Sequence, residues 1–153
     1  MKKTGMTLLL AGIALLGGCT SHTKLDSPSL EAYRDQVSKA VPGISPPKAV
    51  AQPTRILFRY SFDTAPNTTV QQSIIKLTDA YIHTEPFQTE VLESYFKSYS
   101  KKDRILPDIA VPMDTDGDGE ANFEYYASHE QDGNWSWWYS DYKNMHTKVE
   151  LNK

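Results

Sequence analysis

Phe123-Glu-Tyr-Tyr-Ala-Ser-His-Glu-Gln-Asp132-Gly133-Asn-Trp135-Ser-Trp137-Trp138-Tyr139-Ser-Asp-Tyr142 is the stretch on which the fold turns. Aromatic residues favour strands, and Asp-Gly between two such runs is a strong short-range hairpin signal. Taking Asp132-Gly133 as a two-residue loop pairs Gln131 with Asn134, Ser128 with Trp137, Tyr126 with Tyr139 and Glu124 with Asp141. One face then carries Trp135, Trp137, Tyr139 and Tyr126. The other carries Phe123, Tyr125, Ala127, Trp138 and Tyr142. A longer loop would shift this register. Opposed Glu124 and Asp141 would repel unless a cation lay nearby.

Upstream, Ile56, Phe58, Tyr60 and Phe62 alternate as one face of a strand. From Thr68 or Thr69, Val70, Ile74, Leu77, Ala80 and Tyr81 fit a helical stripe ending before Pro86. Its β-branched content leaves a strand over 73–77 open as an alternative. Val91, Leu92, Tyr95, Phe96 and Tyr99 form a second helical stripe, with Thr89 as its cap. A short apolar segment follows between prolines, 105–113. The expected architecture is a small single α+β domain: two helices, an antiparallel C-terminal β-hairpin and a calcium-binding loop joining them.

That loop is Asp114-Thr-Asp116-Gly-Asp118-Gly119-Glu120-Ala-Asn122. Carboxylates at positions 1, 3 and 5 converge when the chain curls, and glycine at 6 permits the sharp turn. The carbonyl of position 7, Glu120, then points inward, toward the oxygen shell that calcium prefers. A plain acidic turn would need glycine and aspartate, but not this alternation. The motif resembles EF-hand loops but departs from them at position 12, where Tyr125 replaces the bidentate glutamate, and Glu124 stands at 11. It is closer to the Asp-x-Asp-x-Asp-Gly-x-x-Asp loops of integrin-type propellers, in which a strand follows and position 9 ligates. That resemblance implies Asp114, Asp116, Asp118, the Glu120 carbonyl and Asn122 as the metal ligands. Glu124 and Asp141 are candidates for outside contributors.

Toward the amino terminus, 41–53 hold four of the nine prolines, a composition that favours extended, semi-rigid spacers. Ser27-Pro28 is a helix start, and Leu30, Tyr33 and Val37 recur at helical spacing. Residues 19–53 therefore read as a tether with a spacer of some 40 Å reach, at roughly 3 Å per residue, and a short helix that could dock on the body or lie exposed. The domain proper spans 54–153.

Lys2 and Lys3 precede an apolar run, Met6 to Leu16, ending in Gly17-Gly18-Cys19. The run has the length of a secretory signal and is shorter than the ~20 residues of a membrane span. Leu16-Gly17-Gly18-Cys19 resembles the lipobox of bacterial lipoproteins. The resemblance implies removal of residues 1–18 and lipidation of Cys19, the only cysteine. Several acyl chains would then give lasting attachment. By the family's sorting rule, Thr20 after the lipidated cysteine implies the outer membrane, facing the periplasm.

The chain from Cys19 carries 14 basic against 19 acidic side chains, a formal charge of −5. That balance argues against nucleic acid as a partner. No Gly-x-Ser-x-Gly elbow occurs, and His22, His83, His129 and His146 show no zinc spacing. The reading is a non-enzymatic accessory or structural component of an envelope assembly, with an envelope protein as partner. The alternative is a glycan- or peptidoglycan-binding module that stacks sugar rings on Trp135, Trp137 and Tyr139.

Overall fold

The computed structural model describes residues 22–151. A seven-stranded sheet is built in chain order: β1 (Thr23–Lys24), β2 (Lys48–Gln52), β3 (Arg55–Ser61), β4 (Asp108–Asp114), β5 (Phe123–His129), β6 (Trp135–Ser140) and β7 (Thr147–Val149). Neighbours run antiparallel except β3 and β4, which are parallel. A parallel pair needs a crossover. Here it holds α2 (Thr68–Ile82), a π-helical turn (Phe87–Leu92), the short α3 (Glu93–Tyr95) and a 3₁₀ turn (Phe96–Ser98). Helix α1 (Pro28–Ala40) bridges β1 and β2. Over the described residues the result is a single α+β domain with three helices and a mostly antiparallel sheet, with more strands than the expected hairpin.

The helices cover one face of the sheet. Ile56, Phe58 and Tyr60 of β3, Ile109, Val111 and Met113 of β4, and Ala127 of β5 alternate into that layer, each at 1% exposure or less. They meet Ile74, Ile75 and Ile82 of α2 and Phe87 and Val91 of the π-helical turn. Asn67 starts α2, its side chain accepting the Val70 N–H at 3.0 Å. The segment 73–77 is helical, because burial of Ile74 and Ile75 on one helix face outweighs β-branched propensity. Proline inside a central strand removes a ladder donor. The β3–β4 register accordingly pairs Leu57 with Ala110 and next Tyr60 with Met113, skipping Val111 and Pro112.

Three expectations are corrected. First, residues 23–52 are part of the domain and do not form a tether. Leu30, Tyr33 and Val37 of α1 lie in the core at 1% exposure or less, and Ser27 caps the helix by accepting the Leu30 N–H at 3.2 Å. The prolines at 46, 47 and 53 flank β2 rather than interrupt it. Ala49 and Ala51, between them, face the helices, and Ala49 is buried. The amphipathic face of α1 is long enough to be taken into the core, so no spacer remains over 41–53.

Second, the hairpin loop has three residues. Glu130 accepts the Gly133 N–H at 3.0 Å and donates its own N–H to Asn134 at 2.8 Å. A two-residue Asp-Gly turn of the usual hairpin type needs φ > 0 at both residues. Only Gly133 has it, at 88°, while Asp132 accepts the Asn134 N–H at 3.0 Å. The observed pairs are Tyr125 with Tyr139, Ala127 with Trp137 and His129 with Trp135. A one-residue slip moves a whole strand to the other face. Trp135, Trp137 and Tyr139 therefore share the helix side with Phe123, Tyr125 and Ala127, and Tyr126 and Trp138 share the outer side.

Third, Thr89 does not cap a second helix: it lies within the π-helical turn and donates Oγ1 to the Glu85 carbonyl at 3.1 Å.

Candidate functional site

The acidic loop joins β4 to β5 at one end of the sheet. Its ends are pinned: the Asn122 N–H donates to the Met113 carbonyl, and the Phe62 N–H to the Asp114 carbonyl, both at 2.9 Å. Asp114 is 6% exposed and organises the turn. Its Oδ1 accepts the Gly117 N–H at 2.8 Å and the Asp116 N–H at 3.3 Å, and its Oδ2 accepts the Gly119 N–H at 3.1 Å. Asp118 in turn accepts the Glu120 N–H at 2.8 Å. These bonds need a chain that reverses tightly, and Gly117 and Gly119 supply it with φ of 77° and 89°.

One carboxylate oxygen each from Asp114, Asp116 and Asp118 lies within 4.8 Å of the others. Three hard oxygen donors at that spacing are a group that could hold a metal ion. The side-chain amide of Asn122 donates to Asp116 at 2.8 Å and holds that carboxyl below its usual range. The Asn122 oxygen accepts from the Thr115 N–H and hydroxyl at 2.6 and 2.8 Å. The structure thus gathers the three aspartates, with Asn122 bracing them from the side.

The two candidate outside ligands are engaged elsewhere. Glu124 is 6% exposed on the outer sheet face and ion-pairs with Arg55 at 2.8 Å. Asp141 accepts the Lys143 and Asn144 N–H groups, and the bonds from Asn144 chiefly hold its carboxyl down to about 2. Sequence reading missed Arg59, whose guanidinium donates to the Gly119 carbonyl at 2.8 Å and places a positive charge beside the loop. Its signal was the outward position of Arg59 in an alternating strand.

The expected aromatic platform is not an exposed row. Trp137 is 3% exposed, and its indole N–H donates to Asp79 of α2 at 2.8 Å. Tyr139 is half-buried against Phe123 and Tyr125, with ring centroids 5.9 and 5.2 Å away. Trp135, at the turn end of β6, is half-buried against the edge of His129. The four histidines stay apart. His22 meets Gln52, His83 meets Asp79, His129 meets Trp135 and His146 meets the Tyr126 hydroxyl. Cys19 and the lipobox lie outside the described residues. Among those that are described, no helix is long and apolar enough to cross a membrane.

No protein-family model matches the chain, and neither does any curated protein or solved structure.

Proposed function

We propose that this chain is a lipid-anchored bacterial envelope protein whose domain is stabilised by calcium and works without catalysis, as an accessory or structural component of an envelope assembly. The observation that carries the calcium half is the convergence of Asp114, Asp116 and Asp118 on a loop whose backbone is already turned. Three carboxylates at that spacing repel one another, and a divalent cation relieves the repulsion. Calcium bound to the folded loop alone would raise stability by mass action. With neutral Asn122 at position 9 and Tyr125 at position 12, the affinity falls in the weak range of extracellular modules, about 10⁻⁴ to 10⁻³ M.

The anchor half rests on Leu16-Gly17-Gly18-Cys19. Lipidation there fastens the protein to the outer membrane, facing the periplasm, where an envelope protein is the partner to seek. Two measurements test the reading. Thermal melting in millimolar calcium against chelator should show a higher midpoint with calcium, and equal midpoints sink the metal. Cys19→Ser should leave an unacylated product, uncleaved or soluble, and incorporation of labelled fatty acid equal to that of the unaltered chain sinks the anchor.

A further inference from the structure

A groove of about 430 Å³ opens at the turn end of the hairpin, between the end of α2, the start of β6 and the chain leaving β7. Asp79, His83, Asn134, Trp135, Lys148 and Glu150 line it. We propose that this groove is a glycan site that receives a pyranose ring against Trp135 and bonds its hydroxyls through Asp79 and His83. The site goes beyond the calcium and anchor reading and does not rest on it.

The acceptors are held in place by the fold. Asp79 Oδ1 accepts the indole N–H of buried Trp137, which fixes the carboxylate and leaves Oδ2 for a ligand. His83 Nδ1 sits 2.6 Å from the Asp79 carbonyl oxygen. A carbonyl can only accept, so Nδ1 carries a proton, and in the neutral ring Nε2 is an acceptor. The Asp79 and His83 side chains are 33% and 53% exposed, so both are reachable. Two acceptors that need no reordering on binding lower its entropic cost. Asn134 also lines the groove; its side-chain amide donates one N–H to Asp132 at 3.0 Å, which leaves the second N–H and the oxygen.

The chemistry selects the ligand class. An aromatic wall with a few convergent polar groups fits a ligand that has an apolar C–H patch and hydroxyl donors together. A pyranose has both. Lys148 is offset by Asp79 and Glu150, so the groove does not select an anion. Among the described residues, the acids and histidine here do not form a metal-holding group; that property belongs to the aspartate trio. Helix α2 ends at Ile82, just before His83, and Trp135 at the start of β6 is half-buried.

The test uses the full chain in a detergent without a sugar headgroup. Probes are an array of neutral and N-acetylated oligosaccharides and purified peptidoglycan sacculi. Retention of at least one class is expected, with loss of about tenfold or more in Trp135→Ala and His83→Leu. Trp138→Ala, on the opposite sheet face, should leave retention intact. If Trp135→Ala lowers the melting midpoint, the exposed His83→Leu decides. No retention on any probe overturns the proposal, as does retention that is equal in all variants or lost equally in Trp138→Ala. The assay is run in calcium and in chelator. Binding that persists in chelator stands whatever the melting experiment says of the metal.

Discussion

The phenol oxygens of Tyr33 and Tyr60 lie 3.1 Å apart in the core, joining the first helix to the centre of the sheet. Tyr33 also meets the Thr78 hydroxyl at 2.7 Å, and Thr78 donates to the Ile74 carbonyl at 2.8 Å. One chain of hydroxyls therefore links α1, α2 and β3.

A chain truncated to begin at Thr54 loses β1, α1 and β2, and with them Leu30, Tyr33 and Val37 from the core. It should show no cooperative melting by circular dichroism. In the full chain, Tyr33→Ala should cost about 3–5 kcal/mol and Tyr33→Phe about 1–2 kcal/mol, read by denaturant unfolding. A sharp transition in the truncated chain would restore the tether.

Alkaline pH should loosen the fold through the same tyrosines. Burial pushes the Tyr33 phenol from 10.0 up to about 12 and also raises Tyr60. The folded state therefore holds its phenol protons at pH values where the unfolded chain has lost them. Their contribution is whole below about pH 10 and is lost as pH climbs toward 12, with Tyr33 worth at most about 3 kcal/mol. Melting midpoints measured from about pH 9 upward should fall, and less steeply in Tyr33→Phe. A flat profile through that window sinks the assignment.

Within the acidic loop, the aspartates should separate into two kinds. Asp114 accepts three backbone N–H groups, so Asp114→Ala should destabilise by about 1–3 kcal/mol in chelator as well as in calcium. Asp118→Asn removes one of three crowded charges while keeping an acceptor for the Glu120 N–H. It should leave stability in chelator unchanged or higher and abolish the calcium-induced rise. Melting of both variants in both conditions gives the four values needed.

On the outer face, Arg55 and Glu124 should prove unequal. Removing Arg55 strands a carboxylate that is 6% exposed, whereas Glu124→Gln strands a guanidinium that can reach water. Arg55→Ala is expected to cost about 2–4 kcal/mol, and Glu124→Gln about half of that. Denaturant unfolding of the two variants checks the order.

Some of this was readable in the chain and some was not. The alternation of Ile56, Phe58 and Tyr60, the α2 stripe and the curl of Asp114–Asp118 follow from local periodicity and turn chemistry. They appear in the structure where local forces place them. The hairpin register turned on whether Asp132 would take positive φ, which the dipeptide Asp-Gly does not decide. Docking of α1 depended on a partner, Tyr60, 27 residues away, and no local pattern announces that. Prolines 46, 47 and 53 looked like a spacer because composition does not record that the five residues between Pro47 and Pro53 can still form a strand. The four-residue spacing of Asp79 and His83 puts both on one helix face, but the bond to Asp79 from Trp137, 58 positions on, lies outside any local pattern.

Because strand order repeats chain order, the sheet itself is a ruler. Cys19 stands four residues before Thr23, a contour of roughly 14 Å at most. For an anchor at that cysteine, the first strand is moored close to the bilayer. Six strand spacings of about 4.8 Å then separate β1 from β7, roughly 29 Å across the sheet. The Trp135 groove lies at that far edge. For a chain anchored at Cys19, the spacing between the moored strand and the groove would be set by hydrogen-bonded strands, which do not stretch as a flexible leash would.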